Sequence, residues 1–89
     1  MLEQQLTIVN KLGLHARAAA KLVKLSSTFK ASIELQKDDK RVNCKSIMGV
    51  MMLAAGRGSA VKLYAEGPDE EAALNAVLQL IENRFGEDE

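Results

Sequence analysis

Apolar and polar residues alternate from Gln4 to Asn10, with Leu6 and Ile8 on one side and Gln5, Thr7 and Val9 on the other, which is the period of a half-buried β-strand. Gly13 is a turn residue and ends this segment. In the alanine-rich run that follows, Ala18, Leu22, Leu25 and Phe29 fall on one face at helical spacing, predicting a helix from about Ala16 to Ser27. Arg17, Lys21 and Lys24 share another face of it. Alternation resumes with Ala31, Ile33 and Leu35 against Ser32, Glu34 and Gln36. Lys37-Asp38-Asp39-Lys40 then reads as a charged hairpin turn, and Arg41-Val42-Asn43 as a short returning strand. Ser46 to about Ala54 is short and apolar on nearly every side, and Ile47, Val50 and Ala54 can face a core at helical spacing. After a loop at Gly56-Arg57-Gly58-Ser59, residues Ala60 to Glu66 alternate again, Val61, Leu63 and Ala65 against Lys62, Tyr64 and Glu66. Gly67-Pro68 turns the chain, and Asp69, Glu70 and Glu71 load the start of a last helix with charge that suits its dipole. Leu74, Val77, Leu78, Ile81 and Phe85 form its buried stripe, while Glu71, Asn75, Gln79 and Glu82 face water. Gly86 ends it, and Glu87-Asp88-Glu89 are expected to fray.

Strand, helix, strand, strand, helix, strand, helix is therefore the expected order. Strands apolar on one side only suggest an antiparallel sheet with helices on one face and water on the other, an α+β two-layer open-faced sandwich. Eighty-nine residues suffice for one domain, 1–89, with one modest core. Twelve basic and twelve acidic residues cancel, which gives no reason to expect nonspecific binding to nucleic acid or to a membrane. An RNA-binding sheet would want exposed aromatics for stacking, and the chain has only Phe29, Tyr64 and Phe85. The longest nearly apolar stretch, Ile47 to Ala55, is nine residues against the ~20 that span a bilayer. With no secretion signal and a single cysteine, Cys44, no intramolecular disulfide can form and a cytoplasmic location is expected. One cysteine and one histidine make a poor start for a metal site, so neither metal nor cofactor is expected. Gly56 and Gly58 lack the Gly-Lys-Ser/Thr ending of a phosphate-cradling loop.

The one histidine, His15, stands where the strand pattern gives way to the helical one. A helix start leaves N–H groups unpaired and carries the positive end of the macrodipole, a ready site for an anion. That end disfavours imidazolium and keeps the ring neutral and nucleophilic near pH 7. Such a histidine can accept a phosphoryl group, and Arg17 nearby has the donor fork that suits phosphate oxygens. Position alone more often marks a surface or capping histidine.

Two separated motifs add a second signal. Asn10-Lys11-Leu12-Gly13-Leu14-His15-Ala16-Arg17 and, about thirty residues on, Lys45-Ser46-Ile47-Met48-Gly49-Val50-Met51 make the chain resemble the HPr family, the histidine-containing phosphocarriers of the bacterial sugar phosphotransferase system. The resemblance covers nearly the whole chain. It implies four antiparallel strands with the first and fourth adjacent, three helices on one face, and a monomer. It further implies that His15 is the phosphoryl acceptor through Nδ1 and that Arg17 stabilises the phosphoryl group. The donor would be enzyme I, charged by phosphoenolpyruvate, and the acceptor an enzyme IIA protein or domain. Such a carrier is a phosphoryl-transfer intermediate rather than an enzyme with a substrate pocket. One departure is Ala18, where the family usually has proline; alanine leaves the helix start looser by ~0.4–1 kcal/mol.

Met48, Met51 and Met52 are more apolar surface than a short helix in a small domain readily buries, and flexible methionines suit docking to several partners or, equally, gap-filling in a core. On the resemblance, this helix and the His15 helix share a docking face made by Ala16, Ala20, Lys24, Ile47, Met48 and Met51. Ser46 is a natural N-cap, although Gly49 stands where a capping box would need Glu or Gln. The resemblance gives Ser46 a second role, regulatory phosphorylation by a serine-specific HPr kinase, which would put negative charge into the docking face and weaken docking of enzyme I. Two alternatives stay open: a carrier of the nitrogen-related or regulatory branch of the same system, and a protein-binding regulatory module that has no use for His15.

Overall fold

The computed structural model describes residues 1–87. Its elements are β1 (Leu2–Thr7), α1 (Ala16–Ser26), β2 (Ser32–Lys37), β3 (Lys40–Asn43), α2 (Ile47–Met52), β4 (Ala60–Glu66) and α3 (Glu70–Glu82), followed by one tight turn at Arg84–Gly86. The four strands form a single antiparallel sheet in the order β1-β4-β2-β3, so the α+β open-faced sandwich expected from the pattern is the fold observed, with the first and fourth strands adjacent as the resemblance implies. Register stacks apolar residues in rows: Leu6 lies opposite Val61, Leu35 opposite Leu63, and Ile33 opposite Ala65. That face joins Ala18, Ala19 and Leu22 of α1, Val50 of α2, and Ala73, Val77 and Ile81 of α3 in one core. Each fully buried Leu, Ile or Val there contributes about 1.5–3 kcal/mol. The opposite face stays polar. Tyr64 on it is covered by the Arg41 guanidinium, 3.9 Å from the ring centroid, and donates its hydroxyl to Gln36 Oε1 at 2.8 Å.

Three details depart from the sequence pattern. First, β1 ends at Thr7 rather than Asn10. Ile8 still exchanges backbone bonds with the 58–59 loop, but Val9 is exposed and Asn10 begins a turn. Second, Ile47 and Ala54 are exposed, and Val50 of α2 and Leu53 at its C-cap take the core positions. A helix of six residues touches the core along barely one turn, and the pair three apart uses that contact up.

Third, α3 stops at Glu82 instead of running to Gly86, and its core stripe is Ala73, Val77 and Ile81, with Leu74 and Leu78 half-buried. Arg84, Phe85 and Gly86 are all left-handed, with φ of 57°, 56° and 77°. The two non-glycine residues cost roughly 1–2 kcal/mol each in that conformation. Complete burial of Phe85 supplies about 1.5–3 kcal/mol against it. Further support comes from the Phe85 carbonyl, which accepts from Lys21 Nζ at 2.6 Å. Asp69, at the N-cap of α3, makes no capping bond with its side chain. Its carboxylate accepts from the N–H groups of Lys30 (2.9 Å) and Ala31 (2.8 Å), tying down the α1–β2 connection. Those bonds, the one from Lys30 foremost, hold its carboxyl below the usual aspartate range.

Candidate functional site

The chain reaches His15 through a turn that only glycine can make. Gly13 has φ +64°, and a Cβ on it would lie 2.5 Å from the Ala55 carbonyl oxygen and 2.7 Å from Gly56 Cα. The Gly13 N–H donates to the Asn10 carbonyl at 3.2 Å, closing the turn, and the Leu14 N–H donates to the Ala55 carbonyl at 2.9 Å. Leu14 is buried. The Gly56–Ser59 loop, a poor phosphate cradle by sequence, thus buttresses the histidine loop. His15 is then the N-cap of α1 in extended conformation (φ −73°, ψ 176°), and its carbonyl accepts the first helical bond from Ala19 N–H at 2.8 Å. Among the described residues no side chain caps the first turn, so the N–H groups that a helix start leaves unpaired are not taken up by a capping side chain there.

The imidazole is one-quarter exposed, and its Nε2 is hydrogen-bonded to Glu87 Oε2. The other oxygen of that carboxylate accepts from Asn10 Nδ2 at 3.1 Å. Glu87, expected to fray, is instead held against the histidine by the left-handed turn at 84–86 and by the bond from its N–H to the Arg84 carbonyl at 2.9 Å. Asp88 and Glu89 lie outside the described residues. The bonds from His15 and then Asn10 hold the Glu87 carboxyl below the ordinary glutamate value of 4.5. An ionised carboxylate only accepts, so the ring nitrogen facing it must be the one that carries hydrogen. In the neutral ring the lone pair then sits on Nδ1.

A depressed folded-state value means that this contact stabilises the fold above pH 4.5 and is lost as pH falls through the lower folded value. A carbon-13 titration of the Glu87 side chain is therefore expected to give a midpoint below 4.5. A midpoint at or above that value would contradict the pairing.

Arg17 is exposed on the first turn of α1. Ala16, Ala20 and Lys24, spaced by four along α1, are exposed as well. Ile47, Met48 and Met51 are 41, 64 and 41% exposed on α2, which packs against α1, and Met52 is open too. Gap-filling in the core is therefore not what these methionines do. Lys21 is not a free member of the basic stripe, since its ammonium holds the Phe85 carbonyl. Ser46 Oγ accepts from the Gly49 N–H at 3.2 Å, making the N-cap read from the sequence. Cys44 is buried, and burial pushes its thiol up to about 12, which leaves it unreactive. No helix among the described residues is long and apolar enough to cross a membrane. Sequence reasoning missed Asn10 and Glu87. For Asn10 the available signal was an Asn three residues before a turn glycine; for Glu87, 72 residues from His15, there was none.

An open-faced sandwich that presents one histidine at the start of its first helix is the class of protein that this geometry defines. Residues 2–83 match the family model described as the PTS HPr component phosphorylation site. The chain is 56% identical to phosphocarrier protein HPr of Cupriavidus necator over the full length of both, and 52% identical to that of Xylella fastidiosa strain Temecula1 over 99% of each. A crystal structure of HPr from Thermoanaerobacter tengcongensis superposes with a TM-score of 0.96 at 52% identity, covering both chains completely. The chain belongs to the HPr family of phosphotransferase-system phosphocarriers.

Proposed function

We propose that His15 takes a phosphoryl group from the phosphohistidine of enzyme I and passes it to a histidine of an enzyme IIA protein or domain. The observation that carries this reading is the Glu87 carboxylate on Nε2, which leaves Nδ1 as the nucleophilic nitrogen. The Nδ1 lone pair attacks phosphorus as the donor's N–P bond breaks, and the donor imidazole keeps that electron pair. Positive charge that builds on the His15 ring during attack is met by Glu87, while the phosphoryl oxygens meet first-turn N–H groups and the Arg17 guanidinium. Ala16, Ala20, Lys24, Ile47, Met48 and Met51 form the surface on which both partners dock, its adaptable methionines suiting two different proteins. Incubation with phosphoenolpyruvate, magnesium and enzyme I from the same organism tests this. The expected result is an intact-mass gain of one phosphoryl group that acid removes; no gain would overturn it.

Ser46 is proposed as a regulatory phosphorylation site for a serine-specific kinase, because it lies at the start of the exposed α2. Negative charge there is compatible with the helix dipole but opposes an acidic partner. Ser46→Asp is expected to leave circular dichroism unchanged and slow His15 phosphorylation by roughly tenfold or more, equivalent to about 1.4 kcal/mol of docking free energy. Ser46→Ala should lose only the cap, about 0.5–2 kcal/mol of stability, with the rate retained. Equal rates for Ser46→Asp and the unaltered chain would remove Ser46 from the docking face.

A further inference from the structure

Asn10 is fully buried, one turn before the histidine, and its side chain has an unusual pair of partners. Nδ2 donates to the Gly13 carbonyl at 2.8 Å and to Glu87 Oε1 at 3.1 Å. A carbonyl and an ionised carboxylate can only accept, so the group between them must bring two hydrogens, which the amide NH2 does and a hydroxyl or carboxylate cannot. This also fixes which way the amide faces, since the flipped orientation would set oxygen against two acceptors. The other half of the amide goes unused: among the described residues, Asn10 Oδ1 is buried without a hydrogen-bond partner. A stranded acceptor costs stability, so position 10 holds an amide for its donors and in spite of its acceptor.

The consequence falls on the histidine. Glu87 belongs to the last described residues, and a glutamate held only by its own backbone can turn its carboxylate freely. Splitting its two oxygens between Asn10 and His15 fixes the carboxylate plane, so that Oε2 stays on Nε2. Asn10 also binds both ends of the turn on which His15 is carried, through its own carbonyl to the Gly13 N–H and through its amide to the Gly13 carbonyl. We infer that Asn10 is a positioning residue for His15, acting through Glu87 to keep hydrogen on Nε2 and the lone pair on Nδ1. Among the described residues, its side-chain hydrogen bonds go to Gly13 and Glu87 and not to the ring. The effect on transfer rests on the phosphocarrier reading; the effect on the ring does not.

The test is proton and nitrogen-15 NMR of the intact chain at neutral pH. The His15 Nε2–H, hydrogen-bonded to the Glu87 carboxylate, is expected as a downfield signal slow to exchange with water. Asn10→Ala should broaden it into exchange with water, and Asn10→Asp, nearly the same shape with donors replaced by acceptors, should abolish it. In the transfer assay Asn10→Ala should lower kcat by about three- to tenfold with KM for the carrier unchanged, as expected for misplacement of a reacting group rather than loss of a contact surface. On a Glu87→Gln background, Asn10→Ala should add little further loss, since both act on the same contact. If the Asn10 variants fold poorly, the unaltered chain still decides: the Asn10 side-chain NH2 signals should shift as the Glu87 carboxyl titrates in acid. A Nε2–H signal indifferent to Asn10→Ala, full additivity with Glu87→Gln, or NH2 signals blind to Glu87 would each overturn the inference. Should the unaltered chain accept no phosphoryl group, the carrier reading falls while the ring signal still settles the part played by Asn10.

Discussion

His15→Ala is expected to abolish acid-labile phosphorylation completely while moving the melting temperature by only a few degrees. The chain contains one histidine and one cysteine. That cysteine, Cys44, is buried with its thiol pushed up to about 12, so no second nucleophile of comparable reactivity can take over. Stability should barely change because what His15 contributes to the fold is mostly main chain. The bond that starts α1 runs from Ala19 N–H to the His15 carbonyl and survives any side chain at this position. Glu87 would lose one partner and keep Asn10, and the C-terminal turn would keep the buried Phe85 ring and the Lys21 bond. Substitution of a partly exposed side chain with these supports intact should cost within ~1 kcal/mol, or about 4–8 °C in a domain of this size. Intact mass after incubation with enzyme I and a thermal melt check both halves. A variant that still gains an acid-labile group would move the acceptor elsewhere. One that melts far lower would mean that the imidazole holds the C-terminal turn in place, rather than the reverse.

How much of this was legible depends on what each residue's signal is made of. β4 was read residue for residue and α1 to within one residue, because each puts polar side chains out of phase with apolar ones and the period shows. α2 has no polar phase at all, so of the core face read from its spacing, Ile47, Val50 and Ala54, only Val50 is buried; packing chose Leu53 over Ile47 and Ala54. Phe85 is the instructive case. It continues the four-residue spacing of Val77 and Ile81, and it does reach the core, yet through a left-handed turn rather than a fourth helical turn. Burying a ring satisfies the pattern by either route, and only the left-handed turn carries Glu87 back to His15. His15, Arg17 and Ser46 were named from their local motifs and the family resemblance. Asn10 and Glu87 were not, since a contact across 77 residues leaves no local trace and Glu87 lies beyond the span that the family model matches.

Gly13→Ala should be the most destabilising substitution at the site, and comparison with Gly58→Ala separates its causes. Both glycines have positive φ, +64° and +87°, so alanine at either meets the left-handed penalty of roughly 1–2 kcal/mol. At Gly58 a Cβ would find nothing within 4 Å, and the penalty should be the whole effect. At Gly13 the same atom would sit 2.5 Å from the Ala55 carbonyl oxygen, and both sides of that overlap are backbone, so nothing can yield by rotating a side chain. The 10–14 turn must lift off the 55–56 segment, with loss of the Leu14-to-Ala55 bond. A total on the order of 3 kcal/mol or more follows, with a fall in melting temperature of about 15 °C or more. Because the displaced turn carries the N-cap of α1, transfer to the folded fraction should also drop, by up to about a hundredfold for a shift near 1 Å. Thermal melts of the two variants, with phosphorylation rates measured well below each melting temperature, decide the matter. Equal destabilisation would mean that the close approach of the two loops costs nothing to relieve. A Gly13→Ala chain that is destabilised yet transfers at the full rate would mean that His15 is placed by its helix alone.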